Sequence, residues 1–463
     1  MRRTSLKEKI VALGTSMLCA LSLGLSPAVA LAEVNVTRLA GPDRYATMSA
    51  ILDEAAKGGK LPNLNSAMVV TGENYPDALA ATSLVSFAGP IVLTKSNTLS
   101  NEAKTQLQKL NAKSAYAIGG PSAISADVIK QIEQMGIKAT QIGGKNRQIT
   151  SSAIALFTIM CDGSPSDSVI LATGKNFADA LSIGPWAYAT QTPLLLVAND
   201  GLLDEAGLSH FKSNTHIRRV IMLGGAGVVS DGVKEQLGDS YTYTRIAGAD
   251  RYETSAKIAE FEAQNGFGWS APAIATGTGF ADALSGATLC GANKSPILLV
   301  KDASGPSVDI LKKHAAEVSK LYVLGGESAV SAAVTNGIAS VMGGSAGTAA
   351  ANATTADGAV TALGTSDFDS AIAKSDKLVV VDFWADWCVP CKQFRPVVEE
   401  VAKDMPDKLE VHTVDIEESP SIANRYSISS IPCLILFRDG KEVGRLIGAR
   451  DKASLVSELN KHL

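Results

Sequence analysis

Residues 38–52 read RLAGPDRYATMSAIL, and residues 245–259 read RIAGADRYETSAKIA. Between them QIGGKNRQITSSAIA begins at Gln141. Each stretch opens a unit whose later landmarks recur in the same order. First come VVTGENYPDALAATSLV from Val69, LATGKNFADALSIGPWA from Leu171 and IATGTGFADALSGATLC from Ile274. Then come AYAIGGPSAIS, VIMLGGAGVVS and LYVLGGESAVS. The offset is about a hundred residues at every landmark. A fixed period of this kind marks a duplicated structural unit.

Within a unit, short apolar runs bounded by Gly or Pro alternate with stretches of helical spacing such as SNEAKTQLQKL. That rhythm predicts an α/β class with largely parallel sheets flanked by helices. Asp77, Asp179 and Asp282 each follow a strand and a Gly turn and open a helix. A carboxylate there is expected to cap free N–H groups and to suit the positive end of the helix. No His or second carboxylate recurs beside them, which argues against acid–base catalysis. The Gly-Gly pairs at 119/120, 224/225 and 325/326 either turn the chain or let backbone approach a ligand.

These three motifs, in three tandem copies, resemble the cell wall-binding repeat 2 family. The resemblance covers residues 36–342 and implies three Toprim-like α/β domains packed about a pseudo-threefold axis. It also implies a Gram-positive surface protein that holds an anionic secondary cell wall polymer without a covalent bond. Such a polymer favours Arg forks and helix N-termini. Arg44, Arg147 and Arg251 occupy the same place in each unit and are the candidate polymer contacts. The alternative is a structural pair with the adjacent Asp43 or Asp250. The middle unit departs from its neighbours, with Gln141, Asn146 and Gln148 in place of Arg, Asp and Tyr. That departure makes it a candidate for scaffold rather than binding.

The chain has 463 residues and a net charge of −4, so attraction to an anionic partner must be local. No basic face of the kind that nucleic acid requires is evident. Residues 1–32 have a basic start, an apolar core and small residues at Ala30 and Ala32, the pattern of a cleaved export signal. An uncleaved anchor is the alternative. The apolar run is short for a span of about 20 residues, and Pro27 interrupts it. The C-terminal SELNKHL carries no sorting pattern, so any hold on the cell surface is expected to be non-covalent. The units divide at 36–139, 140–242 and 243–342. Residues 343–365, rich in Gly, Ala and Thr, read as a flexible tether.

From residue 366 the character changes. KLVVVDFWADWC is a strand running into two cysteines, and CVPCKQFRPVVEEVAKDM has helical spacing. LEVHTVDIEE is a strand, SPSIANRYSI a short helix, and IPCLILFRDGKEVGRLIGA a hairpin turning at Asp439-Gly440. DKASLVSELNKHL closes with an amphipathic helix. This order around one C-x-x-C at a helix start resembles thioredoxin. A structural zinc site would need a second ligand pair, which is missing. Of the six cysteines, Cys19 falls in the leader, while Cys161 and Cys290 sit alone in apolar surroundings and read as small buried hydrophobes.

Cys388, at the start of a helix, is placed to be a thiolate nucleophile, and Cys391, one turn on, to resolve the mixed disulfide. The resemblance implies that Asp382 is the buried carboxylate that deprotonates the resolving thiol. It implies that Pro432 is a cis-proline opposite the cysteines. Trp387 and Ile431 are expected to line the substrate groove. No cofactor beyond the Cys388–Cys391 disulfide is expected. Three positions depart from the thioredoxin pattern: Val389 between cysteine and proline, Thr413 where a lysine is common, and Cys433 after the cis-proline. Cys433 is either a threonine-sized filler or a third thiol able to trap the disulfide.

The sequence therefore predicts an exported, wall-attached thiol–disulfide oxidoreductase. Its expected partners are the wall polymer, disulfide-containing surface proteins and a membrane electron donor. The alternative is a surface-layer or adhesive protein whose thioredoxin-like domain is a binding module.

Overall fold

The hundred-residue period is realised as three four-stranded parallel sheets, each completed by a strand from the next unit. In chain order the strands of the repeat region are β1 (Asn35–Leu39), β2 (Ser66–Thr71), β3 (Ile91–Thr94), β4 (Ser114–Ile118), β5 (Lys138–Ile142), β6 (Ser168–Thr173), β7 (Leu194–Val197), β8 (Arg219–Leu223), β9 (Thr242–Ile246), β10 (Ala273–Thr276), β11 (Ile297–Val300) and β12 (Lys320–Leu324). The sheets run β3-β2-β4-β5, β7-β6-β8-β9 and β11-β10-β12-β1. The computed structural model describes residues 34–463 except 58, 60, 62–64, 85–87, 163–165, 344–359, 364–367, 374–376, 386–387 and 417–418. The leader with Cys19, most of the tether, the Cys161 side chain and Trp387 lie outside the described residues.

The strand that leads into each R/Q-[LI]-[AG]-G motif thus belongs to the sheet of the unit before it. β5 pairs with β4, and β9 with β8. β1 has no preceding unit and pairs with β12, Asn35 in register with Lys320. The three units therefore close into a ring. The central strands β2 and β6 are buried along their whole length, as expected where helices cover both faces of a parallel sheet. The borrowed strands β5 and β9 sit at sheet edges and are fully buried only at their last residues, Ile142 and Ile246.

The helices repeat the exchange. The helix following each motif (Arg44–Lys57, Arg147–Asp162 and Arg251–Gln264) packs on the D-A-L helix of the preceding unit (Ala281–Asn293, Pro76–Ala81 and Ala178–Ser182). One continuous apolar core runs through all three units, with Leu79, Leu181 and Leu284 of the D-A-L motifs almost fully buried. Each such leucine contributes about 1.5–3 kcal/mol by leaving water. A hydroxyl also recurs: Thr47, Thr150 and Thr254 accept from the backbone N–H of Gly41, Gly144 and Gly248 at 3.0, 3.1 and 3.0 Å.

The last domain is a five-stranded sheet ordered β13-β15-β14-β16-β17, from β13 (Thr361–Ala362), β14 (Leu378–Trp384), β15 (Leu409–Asp415), β16 (Cys433–Arg438) and β17 (Lys441–Ile447). β14 and β15 are parallel, and β16 runs antiparallel to both of its neighbours. The helices Val389–Asp404 and Lys452–Leu459 cover one face, and Phe368–Ala373 and Pro420–Arg425 the other. The hairpin turns at Asp439 and Gly440, both at positive φ (51° and 75°), as the D-G pair requires. The tether boundary needs correction, because β13 falls within 343–365 and already pairs with β15. A two-residue strand of Thr and Ala has too little apolar signal to stand out from its Ala/Thr-rich surroundings. No helix among the described residues is long and apolar enough to cross a membrane.

The ring buries one uncompensated acid. Glu262 is fully buried, and neither carboxylate oxygen has a hydrogen-bond partner among the described residues. Burial pushes its carboxyl well above the ordinary carboxylate range. A raised acid favours the fold below its unfolded value and loses that contribution as pH climbs through its folded value. Glu262→Gln should therefore raise the unfolding temperature at pH 8 by several degrees, and hardly at all at pH 4, in paired thermal melts.

Candidate functional site

The seams of the ring explain the motif residues. Arg38 donates to the Gly325 carbonyl at 2.8 Å and to Thr335 Oγ1 at 2.9 Å. Arg245 donates to the Gly224 carbonyl at 2.7 Å and to the Val229 carbonyl at 2.9 Å. Gln141, the departing residue of the middle unit, reaches the Gly119 carbonyl at 3.0 Å and the Ile124 carbonyl at 3.1 Å. Arg and Gln thus make the same stitch across a seam, each to the first glycine of the preceding unit's Gly-Gly pair. The other departures are also structurally matched. Asn146 Oδ1 accepts from the Ile149 N–H, as Asp43 and Asp250 accept from the first-turn N–H groups of their helices. Gln148 donates to the Val197 carbonyl at 3.0 Å.

Arg44, Arg147 and Arg251 do not pair with the adjacent aspartates, which are occupied in capping. Each donates instead to a carbonyl of its own unit, at Gly72, Gly174 and Gly277. Each also acts electrostatically across a seam: Arg147 on Asp77, Arg251 on Asp179, and Arg44 on Asp282. Arg44 lies 5.5 Å from the Phe280 ring centroid and Arg251 5.7 Å from that of Phe177. Phe177, Phe280 and Tyr75, one ring from each unit, meet with centroids 5.4 to 6.2 Å apart. The aromatic in T-G-x-x-[FY] is therefore where the three units touch. Its recurrence at one place in every copy was the available signal.

The three aspartates sit one residue inside their helices. The N-cap positions are Tyr75, Phe177 and Phe280, none of which makes a side-chain cap. Capping by Asp77, Asp179 and Asp282 is thus corrected. Their carboxylates pack against the first glycine of each Gly-Gly pair. Burial raises all three, Asp282 to about 6, opposed by the arginine across the seam.

In the last domain, the Val389–Asp404 helix starts at Cys388, whose Sγ accepts from the Cys391 backbone N–H at 3.2 Å. The two cysteines form a disulfide, with Cα atoms 5.3 Å apart. Cys388 is 4% and Cys391 2% exposed. The Ile431–Pro432 bond is cis, and Ile431 is half-buried beside it. Asp382 lies on β14, 1% exposed, its Oδ1 without a hydrogen-bond partner among the described residues. Burial pushes its carboxyl up to about 7, with Arg395 pulling the other way. That value suits a group that gives and takes a proton near neutral pH. Cys433 is a free thiol, 2% exposed, paired in register with Phe383. It packs with Phe383, Ile435 and Phe437 in the layer under Phe368–Ala373, whereas the cysteine-bearing helix covers the opposite face. The structure thus places Cys433 in the core layer on the face opposite that helix.

Comparison with known proteins follows the same division. The chain matches the family described as cell wall binding domain 2 (CWB2) over residues 38–129, 141–234 and 245–335, and the thioredoxin family over residues 359–461. It is a member of the cell wall binding domain 2 family with a C-terminal thioredoxin domain. It is 30% identical over 323 residues to N-acetylmuramoyl-L-alanine amidase LytC of Bacillus subtilis, a match covering 69% of this chain and 61% of that protein. It is 48% identical over 98 residues to a thioredoxin of Staphylococcus epidermidis, covering 21% of this chain and 92% of that protein. Among solved structures, Cwp6 from Clostridium difficile aligns with a TM-score of 0.60 at 25% identity, over 67% of this chain and 48% of that one. The chain thus spans about half to three-fifths of the length of these two relatives. These findings support a wall-associated protein with a thioredoxin-like domain.

Gly325 tests the seam geometry. Its φ is +101°, and a Cβ there would lie 2.4 Å from Asp282 Oδ2. Gly325→Ala should destabilise the repeat module by about 1–3 kcal/mol, seen as a lowered denaturation midpoint, with the thioredoxin domain's own transition unmoved.

Proposed function

We propose that this protein is an exported, wall-held thiol–disulfide oxidoreductase acting on disulfides of other surface or secreted proteins. What carries the reading is one chain that joins three wall-binding repeats to a disulfide at a helix start with a buried carboxyl behind it. In the reduced enzyme, the Cys388 thiolate attacks one sulfur of a partner disulfide. A mixed disulfide forms, and the other partner sulfur leaves as a thiolate. Cys391 loses its proton to Asp382 and attacks Cys388 Sγ. The Cys388–Cys391 bond forms as the mixed bond breaks, so the partner gains two electrons and the enzyme loses two. The helix N-terminus stabilises negative charge on Cys388.

Direction depends on the electron source. Outside the membrane no soluble pool keeps thiols reduced. Net reduction needs a membrane electron donor, and without one the same site works as an oxidase or isomerase. The repeats supply retention, with an anionic wall polymer as their ligand and Arg44, Arg147 and Arg251 at its contact surface.

The full-length protein should reduce insulin disulfides with dithiothreitol as electron donor, and Cys388→Ser should abolish turnover. It should also co-sediment with purified walls and lose that retention after polymer extraction. No turnover with any donor would leave a binding module. Retention after extraction would sink the polymer reading.

A further inference from the structure

Two buried polar atoms of opposite charge stand near the redox site without partners. Asp382 Oδ1 on β14 and Arg395 Nη2 on the Val389–Asp404 helix are both shut off from water, and neither has a hydrogen-bond partner among the described residues. Arg395 is held where it is by a specific contact. Its guanidinium carbon lies 3.7 Å from the ring centroid of Trp384, two residues along the strand from Asp382. Trp384 and Asp382 share a face of the sheet, because side chains on a strand alternate. Arg395 is also one helical turn beyond Cys391. A cation stacked on an aromatic face is attracted to the ring's negative face, which holds the long side chain inward.

The other groups facing Asp382 leave it little charge compensation. From the helix come Arg395 and the two cysteines. From β15 come the neutral Thr413, in register with it, and Asp415, in register with Trp384. From β16 comes the apolar Leu434 in register, while Cys433, in register with Phe383, lies on the opposite face. Among these groups Arg395 is the cation.

We propose that Arg395 is a positioning residue for the exchange reaction: stacked on Trp384, it supplies the positive charge that keeps Asp382 able to take a proton from Cys391. The inference rests on the exchange reading above. The opposing pull of Arg395 on the Asp382 carboxyl accords with it. Without that cation the carboxyl holds its proton to higher pH, so less carboxylate is present when Cys391 must be deprotonated.

The test uses the reduced full-length protein with Arg395→Met, which keeps much of the apolar stem over Trp384, and Arg395→Lys, which keeps the charge. The Asp382 carboxyl is titrated by its carbon chemical shift, and resolution of a mixed disulfide on Cys388 is timed against pH. Arg395→Met should raise the Asp382 midpoint by about one pH unit and slow resolution up to about tenfold below that midpoint. Arg395→Lys should restore both. If Arg395→Met unfolds, Arg395→Gln serves in its place. Unchanged midpoints, or Lys behaving as Met does, would overturn the proposal. The two readings fail separately: a wild-type protein without turnover whose Asp382 midpoint still follows the charge at 395 overturns the exchange reading alone.

Discussion

The repeat region depends on one constraint: no unit can finish its own sheet. Each supplies its leading strand to the unit before it, and β1 closes the circle on β12. Everything at the seams follows from that loan. A strand that leaves its own unit must be fixed in a foreign one, and Arg38, Gln141 and Arg245 do this by donating to the glycine carbonyls that end β12, β4 and β8. The helix following the borrowed strand is then delivered onto the neighbour's D-A-L helix. The motif that identifies the family is largely the grammar of this exchange, which is why most of its residues are structural.

The thioredoxin domain has a different economy. Its sheet is complete within the last hundred residues, and its chemistry is concentrated where β14 meets the Val389–Asp404 helix. A helix start lies beside one sulfur, and burial pushes the Asp382 carboxyl on the adjoining strand up to about 7. Both sulfurs are nearly buried in the disulfide form.

Much of this was legible in the sequence. Repeat spacing, strand–helix alternation, the D-G hairpin and the cysteine pair each rest on local chemistry that reads directly from residue order. What was not legible depends on closure in three dimensions. Nothing in NVTRL says that it joins a strand nearly three hundred residues later. Arg395, four residues past a cysteine on a helix, reads as a surface charge, and only the fold lays it over Trp384. Glu262, in EFEAQ, reads as solvated for the same reason, yet it is fully buried. The sequence offered the adjacent aspartates as one alternative partner for these arginines, whereas the aspartates on which they act lie in the preceding unit.

The loan of β1 has a temporal side. Arg38 and the Gly325 that it grips are 287 residues apart. During synthesis the first strand exists long before its partner, and such distant pairings form late and slowly. A chain cut short before β12 would leave β1 and β10 with unpaired edges, the kind of surface that aggregates or is proteolysed. The ring thus acts as a completeness check: only a polypeptide made as far as its third repeat gains a sealed wall-binding body.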